Sequence, residues 1–364
     1  MKELQKIVYE AEAARAAGKA IALATVVGIE GSAYRLPGAR MLIVDGKWIA
    51  GSISGGCLED DVVLRARDAI ETNQALVTTY DTTSDDDIVF GVGLGCKGVI
   101  TILIEPIRAA GRGVDFIAFA KSCIEERIPG IAATVIRTEG ETRAATGSRI
   151  VARSGTFQSD VEDEGLENAM RSALHVDRET ALLRVSHEER AALVFIERIE
   201  PPTPLVVFGA GHDAMPVVRL AKDLGWHVTL VDHRPAYATR ERFPEADRIV
   251  QGSPQEAVGQ LTLEPATLAL VMTHNYLRDL ELLELLLPAP VRYLGLLGPR
   301  RRTEQILGDL KEKGISPAER ELVWDTTMVS MEGFGVTPDG LARSARAHFA
   351  RRLDVTISEL LRGV

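Results

Sequence analysis

The stretch "PLVVFGAGHDAMPVVRLAKDLGWHVTLVDHRP" (204–235) restricts the fold more than any other part of the chain. An apolar strand at 205–208 runs into Gly209-Ala210-Gly211-His212-Asp213-Ala214. A helical pattern follows, with Val217, Val218, Leu220, Ala221 and Leu224 as its apolar positions. A second strand at 227–231 ends in Asp232. Gly209 permits a tight turn, and Gly211 lets the backbone approach a phosphate at the helix N-terminus. Ala214 takes the helix-packing position. Asp232 lies 23 residues after Gly209, where a carboxylate can bond ribose hydroxyls. The order predicts a Rossmann-type parallel sheet. It leaves nicotinamide binding open, because the fold is also kept for other nucleotides or as scaffold. Further βα units follow at 248–250, 266–275, 279–287 and 292–300. Two strand ends, at His274 and Gly298, fall on the edge where such sheets bind ligands.

The first 200 residues carry a different constraint, an internal repeat. Shifted by 109 positions, "ATVVGIEGSAYRLPGARMLIVDG" (24–46) falls on "ATVIRTEGETRAATGSRIVARSG" (133–155). Ala24, Thr25, Val26, Glu30, Gly31, Gly38, Arg40 and Gly46 each meet their own residue type, and Trp48 meets Phe157. Leu58-Glu59 finds Leu166-Glu167, and "ILIEP" (102–106) finds "ERIEP" (197–201). Each copy reads strand, turn, strand, hairpin, helix, strand. The fold class expected is α/β. An N-terminal αβ domain, 1–200, contains two related units at about 1–110 and 111–200. A stiff proline-rich link at 200–204 leads to a Rossmann-like domain, 201–364.

The two copies differ where chemistry is expected. "GSISGGCLEDDV" (51–62) stands against "SDVEDEGLENAM" (159–170), so the glycines and the cysteine belong to copy one. Gly51, Ser52, Ser54, Gly55 and Gly56 are candidates for a backbone-amide nest around a phosphate oxygen; the alternative is a tight turn. Cys57 would sit in the first turn of a helix whose dipole favours a thiolate, while Glu59, Asp60 and Asp61 oppose a further anion. Copy one also carries extra chain before its last strand, with the acidic run "DTTSDDD" (81–87) and "GVGLGCKG" (91–98). Cys96, beside Lys97, is the second candidate thiol. A solvated loop is the expectation for the acidic run, and no metal site is expected. Arg40 has a counterpart, Arg149, and reads as structural. Arg35 has none and is the better ligand candidate. His212, Asp232 and His274 join Gly209 and Gly211 as candidates at the Rossmann edge. Asp213 could equally serve the helix N-terminus, and Arg300–Arg302 could hold phosphate or face solvent.

Composition excludes several classes. The formal net charge is -10, which leaves no basic excess for nucleic acid or an anionic membrane. Three scattered cysteines, Cys57, Cys96 and Cys123, make neither a disulfide framework nor a CxxC metal site, and fit a reducing cytoplasm. The apolar runs at 20–28 and 280–287 are too short to span a bilayer. A homodimer is the default expectation for assembly.

Taken together, "GSAYRLPGARMLIVDGKWIAGSISGGCLED", "GLGCKG" followed by "ILIEP", "FGAGHDAMPVVRLAKDLGWHVTLVDHRP", "RFPEAD", "THNYLRDLELLELLL" and "YLGLLGPRRR" resemble the XdhC/CoxI family. The resemblance covers most of residues 20–310. Members are accessory factors for molybdenum hydroxylases such as xanthine dehydrogenase and carbon monoxide dehydrogenase. It implies a cofactor-insertion chaperone without turnover chemistry of its own. Such a protein binds molybdenum cofactor, as molybdopterin or its dinucleotide form, while a sulfur donor supplies a ligand, and passes it to the apo-hydroxylase. The sequence departs from the family at Lys97, where a second glycine is usual, and at 329–353, where a PIGLDIG-like stretch usually precedes the final helix. Two rival readings remain. One is an NAD-dependent oxidoreductase, with Asp232 favouring NAD over NADP. The other is a redox or nucleotide sensor using Cys57 and Cys96.

Overall fold

The computed structural model describes residues 2–82, 98–107, 113–174 and 180–315. The chain divides into two compact units, one ending at Pro201 and the other beginning at Pro202. No helix among the described residues is long and apolar enough to cross a membrane.

The first unit holds two five-stranded antiparallel sheets. One comprises β1 (Ile21–Gly31), β2 (Arg40–Val44), β3 (Lys47–Gly51), β4 (Leu76–Asp81) and β5 (Gly98–Pro106), in the order β3-β2-β1-β5-β4. The other comprises β6 (Gly130–Glu139), β7 (Arg149–Arg153), β8 (Thr156–Ser159), β9 (Ala181–His187) and β10 (Arg190–Ile199), in the order β8-β7-β6-β10-β9. The two orders are the same path traced twice, as the repeat predicts. The helices among the described residues of this unit are α1 (Lys2–Ala16), α2 (Glu59–Thr72), α3 (Phe116–Glu125) and α4 (Glu164–Ala173).

The central strands β1 and β6 are apolar on both faces, and the side-chain period of two divides their residues between two cores. Ala22, Ala24 and Val26 pack with Val62, Ala66 and Ala69 of α2. Ile131, Ala133 and Val135 pack with Leu166 and Met170 of α4. The opposite faces meet each other. Val27 and Leu103 from one sheet lie against Ile136 and Phe195 from the other, and Leu23 and Ala132 share a core with α1 and α3. Neither sheet can therefore bury both faces alone.

Arg40 and Arg149, the aligned arginines, join the two copies reciprocally. Arg40 of copy one pairs with Glu197 of copy two, and Arg149 of copy two pairs with Glu105 of copy one. Both guanidinium groups lie near the ring of Phe116, at 4.4 and 5.6 Å from its centre. Burial pushes Arg149 down to about 10, which leaves it charged at neutral pH. Thr25 and Thr134, also aligned partners, line the same small cavity.

These pairs correct one alignment drawn from sequence. Ala24 lies opposite Ile104, and Ala133 opposite Ile196. Glu105 therefore corresponds to Glu197, not to the glutamate of "IEP" at 200. The matching letters are three residues out of register; the ladder hydrogen bonds, not the shared Glu-Pro, set the correspondence.

The second unit is a parallel sheet of β11 (Pro204–Phe208), β12 (His227–Asp232), β13 (Arg248–Gln251), β14 (Leu268–Val271) and β15 (Tyr293–Leu296), in the order β13-β12-β11-β14-β15. Among the described residues, its helices are α5 (Ala214–Asp223), α6 (Pro254–Val258), α7 (Tyr276–Leu286) and α8 (Arg300–Glu312). Strand β11 is buried throughout. One face of the sheet packs on α5, and the other on α6, α7 and α8. The strand order reverses between β11 and β14, which places the ends of those strands at the topological switch point.

Candidate functional site

The glycine stretch of the first unit links β3 to α2. Gly51 holds a φ of 71°, and a Cβ there would stand 2.1 Å from the Arg40 carbonyl oxygen. Only glycine fits, so this position serves the turn. Beyond it, the amides of Gly56, Cys57 and Leu58 donate to Ser54 Oγ at 3.2, 3.1 and 3.2 Å. The amides of Ile53 and Ser54 donate to Glu59 Oε1 at 3.2 and 2.9 Å, and that of Leu58 to Oε2 at 3.2 Å. The Ser54 hydroxyl donates to the same carboxylate.

Glu59 is thus a buried internal anion at a helix N-terminus, where the dipole favours negative charge. Of the amides that the sequence assigns to a phosphate, those of Ser54 and Gly56 are engaged by Glu59 and by Ser54 Oγ. What the loop leaves exposed is Gly55, Gly56 and Cys57. Arg35 holds the loop from the side. It donates to both oxygens of Glu3 on α1, at 2.7 and 2.8 Å, and to Ser52 Oγ at 3.0 Å. The ring of Tyr34, largely exposed, covers the backbone at Gly55.

The three carboxylates after Cys57 have separate fates. Glu59 is buried among amides and Asp60 is exposed. Asp61 accepts from Tyr80 and from Arg65 Nε at 2.6 Å. Burial works to raise the Asp61 pKa, but the bonds from Tyr80 and Arg65 hold it below the usual carboxylate range. Cys123 is a different kind of thiol: it is fully buried, and burial pushes it up to about 11. Cys96 and residues 83–87 of the acidic run lie outside the described residues, as does the side chain of Arg300. Among the described residues no cluster of three or more metal-ligating side chains forms.

The Rossmann edge gathers a second group. Gly209 has a φ of 119°, and a Cβ there would meet the Met272 carbonyl oxygen at 2.4 Å. The next amide, of Ala210, donates to Asp232 Oδ2 at 2.7 Å. Asp232 also accepts from the Arg234 amide and Nε, both at 2.9 Å, and from Nη2 at 2.7 Å. Burial would raise this carboxyl, yet the Arg234 side chain and the two amides hold it below its ordinary value. Asp213 meets His274 Nε2 at 2.7 Å. His212 is exposed beside them. Behind the edge, Thr273 and Arg302 both bond the buried Asp279, whose pKa burial nevertheless raises.

Sequence reasoning did not single out Glu59 as a loop ligand, nor Arg234 and Asp279. No capping pattern signals Glu59: a reciprocal cap spaces serine and glutamate three residues apart, whereas Ser54 and Glu59 are five apart and the helix is preceded by Leu58.

The sequence matches follow the same two groups. Residues 14–81, which include the Cys57 loop, match the XdhC and CoxI family, and 205–324, which include the Rossmann edge, match the XdhC Rossmann domain. A Bacillus subtilis (strain 168) protein, named as one subunit of a probable xanthine dehydrogenase, is 34% identical over 286 residues, covering 78% of this chain and 81% of its own. The chain belongs to the XdhC and CoxI family. A crystal structure described as a xanthine dehydrogenase from Bacillus halodurans shares its fold, with a TM-score of 0.74 and 25% identity over 98% of this chain and 96% of that one. A shorter match, 33% over 113 residues, reaches 31% of this chain and 20% of the uncharacterized protein YqeB of Escherichia coli (strain K12). Cys96 falls outside both family segments, whereas Cys57, Gly209 and His274 fall within them.

Proposed function

We propose that this XdhC and CoxI family member is a maturation factor for a molybdenum hydroxylase of the xanthine dehydrogenase type. Its cargo would be molybdenum cofactor, as molybdopterin or its dinucleotide form. It receives the cofactor while a sulfur donor acts on it, and delivers it to the apo-hydroxylase. The observation that carries this reading is the Cys57 loop. An exposed thiol is presented on a turn in which the amides of Ser54, Gly56, Cys57 and Leu58 bond to Ser54 and Glu59, so the thiol is held without needing the ligand to order it. The second copy of the repeat builds the same sheet without this turn, so folding alone does not call for it.

The residues exposed at this turn, Gly55, Gly56 and Cys57, are the surface offered to the cargo. Ser52, Ser54 and Arg35 position that surface, and Arg35 does so through Glu3. The rival reading, an NAD-dependent oxidoreductase, asks Asp232 to bond a ribose. Its carboxylate is already surrounded by donors from Ala210 and Arg234. Anaerobic incubation of the purified chain with released molybdenum cofactor tests the proposal. Co-elution of cofactor with the protein supports it, and its absence counts against it.

A further inference from the structure

In dinucleotide folds the second glycine of the loop lacks a side chain so that a pyrophosphate can lie against its backbone, at the positive end of the following helix. In this chain that space is taken. Asp213 Oδ1 lies 2.3 Å from where a Cβ on Gly211 would stand. Asp213 sits at the start of α5 but makes no capping bond through its side chain. Its other oxygen goes to His274 Nε2, 2.7 Å away. His274, three residues beyond β14, holds a φ of 59°, a left-handed conformation that side-chain-bearing residues rarely adopt. The adjacent ribose position is filled too, since Asp232 is bonded by Ala210 and Arg234. Both features by which such an edge recognises a dinucleotide are occupied by the chain's own groups.

We propose that Asp213 is a specificity-determining residue of this edge: its carboxylate, held over Gly211 by His274, stands in the pyrophosphate position and excludes nucleotide diphosphates. An entering pyrophosphate would have to displace the carboxylate from His274 or lie against it as a like charge, which is unfavourable at such short range. The fingerprint is then retained as architecture while its anion site is closed. This inference does not rest on the maturation reading, because it concerns only what the second unit rejects.

Titration with NADH, followed by nicotinamide fluorescence, tests it on the full chain. The wild type is expected to show no saturation at micromolar NADH. Asp213→Ala should gain saturable binding, tighter by roughly tenfold or more. The double variant Asp213→Ala, Gly211→Val should lose that gain, because a branched side chain refills the same space. Wild-type binding as tight as that of Asp213→Ala would overturn the proposal. So would a folded Asp213→Ala chain with no gain. Should Asp213→Ala fail to fold, Asp213→Ser carries the test, since it removes the carboxylate and vacates the space over Gly211 while keeping a small polar group at the helix start. An unchanged NADH response in that variant would also overturn it.

Discussion

At the scale of single residues, Cys57 and the carboxylates behind it decide how the first glycine stretch is understood. Adjacent in sequence, Glu59, Asp60 and Asp61 read as one negative cluster opposing a thiolate. In the fold they separate, because the first turn of a helix points successive side chains in different directions. Glu59 turns inward to the amides of 53, 54 and 58, and Asp61 joins Arg65 and Tyr80. That the stretch is special was legible from its absence in copy two. That its amides are filled by Glu59 was not, since the alignment treats Glu59 as one of a repeated Leu-Glu pair. Cys57→Ser should leave thermal stability nearly unchanged, because the side chain is exposed. In a reconstitution assay with an apo-hydroxylase it should lower the recovered activity. Recovery equal to wild type would remove the sulfur from the mechanism.

At the scale of elements, the repeat forecast that the two copies share one succession of strands and a helix, but not the strand order in the sheet nor the buried ion pairs that join the copies. Arg40 and Arg149 were recognisable as aligned, yet their partners lie in the other copy and are found only through the strand register. Arg40 and Glu197 have side chains only 7% and 6% exposed. Arg40→Ala strands the Glu197 charge and should cost about 3–5 kcal/mol. Replacing both by methionine should cost less, as removal of the whole pair leaves no unpaired charge. Urea unfolding of the single and double variants measures the difference, and a double variant weaker than Arg40→Ala would contradict this account.

Asp163, the cap of α4, offers a pH test at the same scale. Burial would raise its pKa, but the bonds from Thr142, the Leu166 amide and Arg190 lower it. A carboxyl held below its unfolded value adds stability above that value and loses it as pH falls through the folded one. Stability should therefore decline on acidification below the ordinary aspartate range. Asp163→Asn should be less stable at neutral pH and show a shallower acid limb, which thermal melts at a series of pH values would reveal.

At the scale of the whole molecule, the Rossmann-type unit was the more legible part. Its strand, glycine turn, helix and carboxylate are consecutive, and local order alone fixes a parallel βαβ unit. The use of that edge was less legible, because Asp232 reads as a ligand group, and Asp213 as either a ligand or a helix-start group, until their partners Arg234 and His274 are seen beside them. The antiparallel unit required comparison of distant segments, and its extra chain in copy one leads into residues outside those described. Twenty-eight positions separate Leu76 from Ile104, which pair, whereas fifteen separate the corresponding Ala181 and Ile196. The central proposal, that this chain carries molybdenum cofactor as cargo, draws on the family membership and the exposed Cys57 turn. Equilibrium titration of the full chain with anaerobically released cofactor, separating bound from free by rapid gel filtration, tests that claim most directly. The account predicts saturable binding with one cofactor per chain at low micromolar concentration or below; cofactor that elutes entirely apart from the protein across the titration would contradict it.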